Sequence, residues 1–91
     1  MRIVVRRTGG FTGLTQVWMV DTRKLSHQNA ADVERMAHTA RKVSGQERTA
    51  EIADGFRWDV DIDGELHTAP DGSAVWTDLI DRVRSLHRKE P

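Results

Sequence analysis

Residues 56–62 alternate strictly between apolar and charged side chains. Successive side chains of a β-strand point to opposite faces, so this alternation predicts a strand with one buried face and one wet face. A chain of 91 residues has room for one hydrophobic core. We therefore expect residues 1–91 to form a single domain built around a half-buried sheet.

Two more strands and two helices are predicted from local patterns. Residues 1–7 and 15–21 are short and rich in Ile, Val, Trp and Thr, as strands are. Residues 26–43 and the segment that follows Ser73 carry apolar side chains at helical spacing, and Ser73 is a suitable N-cap. The side chains that we expect to share one core are Val33, Met36, Trp58, Val60, Trp76, Leu79, Ile80 and Val83.

The fourth strand follows Asp63-Gly64 and closes a hairpin. A two-residue loop would place Val60 opposite His67 and bury the polar side of this strand. A three-residue loop with a bulge at Gly64 would instead bring Leu66 to the inner face, and we expect that arrangement. The element order is then ββαββα, an α+β fold with a four-stranded antiparallel sheet and both helices on one face.

A glycine-rich loop, residues 6–14, separates the first two strands. It contains Gly9, Gly10 and Gly13 together with the bulky apolar residues Phe11 and Leu14, which a simple chain reversal does not need. An aromatic side chain in such a loop is costly to leave in water. Phe11 therefore either folds back onto a small core under the hairpin or is covered by a partner.

The second strand is apolar on both faces. If Trp18 and Val20 point toward the helices, then Val4, Val17 and Met19 lie on the open face of the sheet. That patch is either a scattered apolar surface or a contact surface.

Composition limits the function classes. Fourteen basic and fourteen acidic side chains cancel, so no net field attracts nucleic acid or an anionic membrane. The chain has no cysteine, and charge interrupts its first residues before an apolar stretch can form. We expect no disulfide, no signal peptide, no membrane span and a cytoplasmic location.

Metal and catalytic motifs are incomplete. Asp59, Asp61, Asp63 and Gly64 match the first half of a calcium loop, but Pro70 stands where a bidentate Glu is needed. A nucleophile elbow, a phosphate loop and a dinucleotide fingerprint are missing. We therefore expect no cofactor, no metal and no catalysis. The histidines do not have the spacing of zinc ligands. We expect them at ordinary surface positions: His27, His38, His67 and His87.

Residues 2–15, followed by Trp18 and by residues 20–22, resemble the opening of the emfourin family. Emfourins are small proteinaceous inhibitors of protealysin and other thermolysin-like (M4) metallopeptidases. The resemblance continues in the Ala-rich helix, the Asp63-Gly64 turn and His67-Thr68. It implies that the partner is a thermolysin-like metallopeptidase, whose cleft offers a zinc ion and a pocket for a bulky apolar side chain.

The resemblance also implies a binding surface at the glycine loop. Phe11 would be the anchor and Leu14 a second contact, while the glycines would allow close backbone approach. The partner-binding residues that follow are Arg7, Gly9, Gly10, Phe11, Gly13 and Leu14. The competing hypothesis is a non-inhibitory interaction module whose open sheet face forms a weak homodimer or docks on an unrelated protein.

Overall fold

The sheet and its two helices account for nearly all of the residues that the computed structural model describes, 1–9, 15–44, 56–69 and 73–89. A short 3-10 turn at Thr22–Lys24 follows the second strand. Neither described helix has the length and apolar character that a membrane span requires. The elements are β1 (Arg2–Gly9), β2 (Gln16–Asp21), α1 (His27–Ser44), β3 (Phe56–Ile62), β4 (Glu65–Thr68) and α2 (Ala74–Lys89).

The predicted ββαββα order and antiparallel sheet are confirmed. The strands lie in the order β2-β1-β3-β4, which the sequence did not specify. Each hairpin contributes one central strand, β1 or β3, and one edge strand. Within the central pair, Ile3 lies opposite Ile62 and Val5 lies opposite Val60. The centre of the sheet is thus apolar on the side that the helices cover.

The core lies between the sheet and the helices. Of the eight side chains expected there, six are buried, while Trp58 and Met36 are half-buried and pack against the rest. Ser26 and Ser73 cap the helices through their hydroxyl groups, which accept hydrogen bonds from the backbone N–H groups of Asn29 and Trp76. Among the described residues, the buried apolar side chains are Ile3, Val5, Val20, Val33, Ala37, Ala40, Val60, Ile62, Trp76, Leu79, Ile80, Val83 and Leu86.

The β3–β4 hairpin differs from the sequence prediction. Asp63 and Gly64 form a two-residue turn with φ of 51° and 88°, the left-handed backbone that Asp-Gly favours. The register therefore places His67 opposite Val60 on the helix side and Leu66 opposite Asp61 on the open face. The expectation that a three-residue loop brings Leu66 inward is wrong, because the turn chemistry of Asp-Gly outweighs the cost of turning a histidine inward.

Specific contacts lower that cost. The His67 ring lies 5.3 Å from the Trp76 ring, centroid to centroid, so its apolar body is packed. Its Nε2 atom lies 2.7 Å from a carboxylate oxygen of Glu65, and Arg41 of α1 donates to the same oxygen at 3.2 Å. The hydrogen bond with His67, followed by the charge of Arg41, holds the pKa of Glu65 below its usual value.

Replacing Gly64 by Ala tests the two-residue turn. The φ of Gly64 is 88°, and no atom lies within 4 Å of the position that a Cβ would occupy. The cost of Gly64→Ala should thus come from backbone strain alone, about 1 kcal/mol of unfolding free energy. Denaturant unfolding of Gly64→Ala and Gly64→Asn measures it. Asn tolerates positive φ, so its loss should be smaller, and an unchanged stability of Gly64→Ala would contradict this turn.

Candidate functional site

The loop end of the sheet is where β1 stops at Gly9 and β2 begins at Gln16. Gly9 has a φ of 104°, which L side chains rarely adopt, so the chain needs glycine where it leaves β1. The Arg7 guanidinium donates to the side-chain oxygen of Gln16 and links the two strands at this point. The structure places Arg7 and Gly9 at the loop end, and their contact with a partner stays a prediction. The other predicted site residues lie outside the described residues: Gly10, Phe11, Gly13 and Leu14.

Two tryptophans stack beside the loop end on the helix side of the sheet. The ring centroids of Trp18 and Trp58 are 5.9 Å apart, with 25° between the ring planes. Trp58 lies opposite Arg7 in the β1–β3 register, and Arg7 is two residues before Gly9. Both tryptophans are half-buried and pack against the edge of the core. The stack therefore connects β2 to β3 across β1.

Two arginines lie over these rings. The Arg84 Cζ atom is 4.8 Å from the Trp18 centroid and 5.5 Å from the Trp58 centroid. The corresponding distances for Arg7 are 5.9 Å and 5.7 Å. These distances allow cation–π attraction between each guanidinium and the rings. Arg7, Trp18, Trp58 and Arg84 form what we call the aromatic–arginine cluster, which joins α2 to the loop end.

The cluster has an unusual electrostatic character. The Arg84 Nε atom is buried without a hydrogen-bond partner among the described residues, and no described carboxylate forms an ion pair with Arg84. The ring faces are thus the principal electrostatic partners of this guanidinium in the described part of the chain. A cluster of two cations and two rings gives the loop end a positively charged, partly aromatic flank.

The open face of the sheet, on the side away from the helices, is the second exposed feature. Val17 and Met19 are 49% and 44% exposed and Leu66 is 59% exposed, and all three lie on this face. The prediction that Val4, Val17 and Met19 share the open face is confirmed by the β1–β2 register. A shallow depression of about 810 Å³ lies over this region.

The carboxylates of the β3–β4 hairpin are engaged in local contacts. Asp59 accepts hydrogen bonds from the side chains of Arg57 and Thr68. Asp61 and Asp63 accept from the backbone N–H groups of Gly64 and Arg2 respectively. Over the ranges described, no three His, Cys, Asp or Glu side chains come close enough to hold a metal ion. These carboxylates therefore stabilise the hairpin turn and join neighbouring strands.

The histidines fall into two groups. His27 and His38 are exposed on α1, as expected. The same expectation is wrong for His67, whose side chain is only 11% exposed because the two-residue turn directs it toward Trp76. His87 of α2 is half-buried, and its Nδ1 atom lies 3.1 Å from the backbone oxygen and 3.3 Å from the backbone nitrogen of Met19. His87 therefore contacts the backbone of the edge strand β2.

Comparison with known families identifies the chain. The sequence profile of the Emfourin family matches residues 5–84, which include the second hairpin and most of the first hairpin and of α2. The chain belongs to the emfourin family. Emfourins are metallopeptidase inhibitors, so membership supports a peptidase-inhibitor role. No curated protein and no solved structure is significantly similar to this emfourin.

Sequence reasoning missed one member of the cluster. The inward direction of Trp18 and Trp58 followed from strand alternation, but their contact with Arg84 depends on how α2 crosses the sheet. Helical periodicity assigns Arg84 to a position next to buried Val83 and gives no crossing angle. The sequence of this emfourin offered two signals for the cluster. Arg84 is next to a buried helix position, and Trp18 and Trp58 lie on the face of the sheet that the helices cover.

Replacing Trp58 by Ala tests whether the cluster holds the loop end. Loss of the stack removes buried aromatic area and two cation–π contacts, so unfolding free energy should fall by at least about 1 kcal/mol. Amide hydrogen exchange should rise more at Arg7, Gly9 and Gln16 than at Ile3 in the sheet centre. Leu66→Ala, which removes an exposed side chain from the same sheet, is the control and should change neither quantity appreciably. A uniform rise in exchange across the sheet would contradict a local role.

Proposed function

We propose that this emfourin inhibits a thermolysin-like (M4) metallopeptidase by covering its active-site cleft with the glycine loop and the neighbouring sheet surface. The observation that carries the proposal is the family match over residues 5–84, because it includes the entire loop, all of β2 and the part of β1 that leads into the loop. We further propose that the target is made by the same cell and that the two proteins meet in the cytoplasm.

A rigid base for the loop supports this mechanism. The Arg7–Gln16 hydrogen bond joins the strands at the loop end, and the aromatic–arginine cluster ties them to α2. A binding loop whose ends are already fixed loses less conformational entropy on association. The glycine-specific backbone at Gly9 also directs the chain out of β1 without a side chain at that point. These features are those that a blocking inhibitor needs, and none of them requires catalytic chemistry.

Phe11 is the proposed anchor. A large apolar side chain near the centre of an interface is the usual form of a binding hot spot, and a thermolysin-like cleft offers a pocket for one. Leu14 is the proposed second contact, with Gly10 and Gly13 allowing close approach of the backbone. The alternative for Phe11 is a small core under the hairpin, and the experiment below separates the two.

Replacing Phe11 by Ala should weaken inhibition of the target at least tenfold and leave the melting temperature nearly unchanged. Tenfold corresponds to about 1.4 kcal/mol of binding free energy, a modest value for an anchor residue. The inhibition constant is measured with a peptide substrate of a thermolysin-like enzyme, and the melting temperature is measured on the same preparation.

The matched control is Leu66→Ala, which removes an apolar side chain that is 59% exposed on the open face. Its inhibition constant should equal that of the parent chain. If stable Phe11→Ala protein inhibits as well as the parent, Phe11 is not the anchor. If Phe11→Ala lowers the melting temperature by several degrees and inhibition falls only with the folded fraction, Phe11 belongs to a small core.

A second candidate function is a non-inhibitory interaction module that uses the open face. The exposure of Val17, Met19 and Leu66 on one face favours it. The two functions are separated by whether the purified chain slows hydrolysis of casein or a peptide by any thermolysin-like enzyme. Complete absence of inhibition across several such enzymes would leave the interaction module as the better account.

A further inference from the structure

The open face carries an ordered pattern of charge and apolar surface. Its apolar side chains lie mainly on the two edge strands, with Val17 and Met19 on β2 and Leu66 on β4. Among the described residues, these three are the large apolar side chains that are exposed. Their confinement to one face is not expected of a scattered apolar surface.

The two central strands carry opposite charges on this face. Arg2 and Arg6 project from β1, while Asp59 and Asp61 project from β3. Arg57 also lies on this face of β3, at its loop end, where it forms an ion pair with Asp59. Asp63 follows β3 directly and accepts a hydrogen bond from the backbone of Arg2. Across the sheet, the face therefore has an apolar β2, a basic β1, a β3 on which the two aspartates outnumber Arg57, and Leu66 on β4.

We propose that the open face is the interface of a two-fold dimer of this chain. Consider a two-fold axis that runs parallel to the strands and passes between β1 and β3. It places each strand of one copy over a strand of complementary character in the other copy. The basic β1 of one copy then faces the acidic β3 of the other, and this happens twice because the interface is isologous. The apolar β2 of each copy faces β4 of the other, which brings Met19 and Val17 over Leu66 and its neighbours.

The charge pattern selects this axis over the other in-plane one. An axis perpendicular to the strands would lay β1 on β1, with Arg2 and Arg6 facing arginines, and β3 on β3, with Asp59 and Asp61 facing aspartates. Like charges brought together in this way oppose association. Both axes keep the strands of the two sheets aligned, as face-to-face sheets commonly are, but only the parallel axis brings unlike charges together.

The interaction should be weak and sensitive to salt. Exposed ion pairs contribute little individually and are screened by salt, and the apolar contribution rests on a few side chains. The loop end lies where β1 stops and β2 begins, whereas the proposed dimer interface is the face of the sheet away from the helices. The dimer is therefore independent of the proposed inhibition, and either can fail without the other.

Sedimentation equilibrium between about 10 µM and about 1 mM tests the proposal on the intact chain. The parent chain should form dimers as concentration rises, and added salt should reduce them. Two double variants distinguish charge pairing from nonspecific association. Arg2→Glu with Arg6→Glu makes β1 acidic on this face, and Asp59→Lys with Asp61→Lys makes β3 basic. Each should be monomeric alone, and an equal mixture should form heterodimers.

Arg35→Glu, a charge reversal on exposed α1, is the control and should dimerise like the parent. Circular dichroism checks that each variant folds, and Leu66→Asp provides a further variant, expected to be monomeric, if the lysine variant unfolds. A parent chain that stays monomeric throughout overturns the proposal, as does a dimer that Arg35→Glu abolishes or a mixture that does not associate. A monomeric parent whose open-face variants lose peptidase inhibition would assign this face to the peptidase, and that also overturns the dimer.

Discussion

Burial of apolar side chains on the two central strands is the constraint on which the rest of the structure depends. Ile3, Val5, Val60 and Ile62 meet across β1 and β3 beneath the helices and are almost completely shielded from water. Because strand side chains alternate, this burial forces the intervening residues onto the opposite face. The charge strips of the open face and the position of Arg7 at the loop end both follow from it.

Most of the fold was accessible from the sequence because its periods are clear. The alternation around Val60 and the helical spacing around Val83 predict the elements, and the doubled apolar pattern near Met19 predicts an apolar open face. Strand order was not accessible, because local patterns do not say which strands become central. The inward position of His67 was missed because a polar side chain is expected on the exposed face. Its contacts with Trp76 and Glu65 depend on the tertiary structure.

The candidate site was predicted in part. The loop was recognisable from its glycines, and the φ of Gly9 gives one of them a structural reason. The support under the loop was not recognisable, because the contact of Arg84 with Trp18 joins residues distant in the chain. Emfourin membership turns these features into a functional account, in which α2 stabilises the strand ends that present the loop. In the two proposals, the loop end binds a peptidase and the open face binds a second copy.

Hydrogen exchange of this emfourin, free and with a saturating thermolysin-like peptidase, tests the central claim most directly. The account predicts that amides between Arg7 and Gln16 gain the strongest protection, while amides on the outer surfaces of α1 and α2 are unchanged. Such a footprint would place the peptidase at the loop end without any substitution. Protection centred on the helices, with no change between Arg7 and Gln16, would contradict the account.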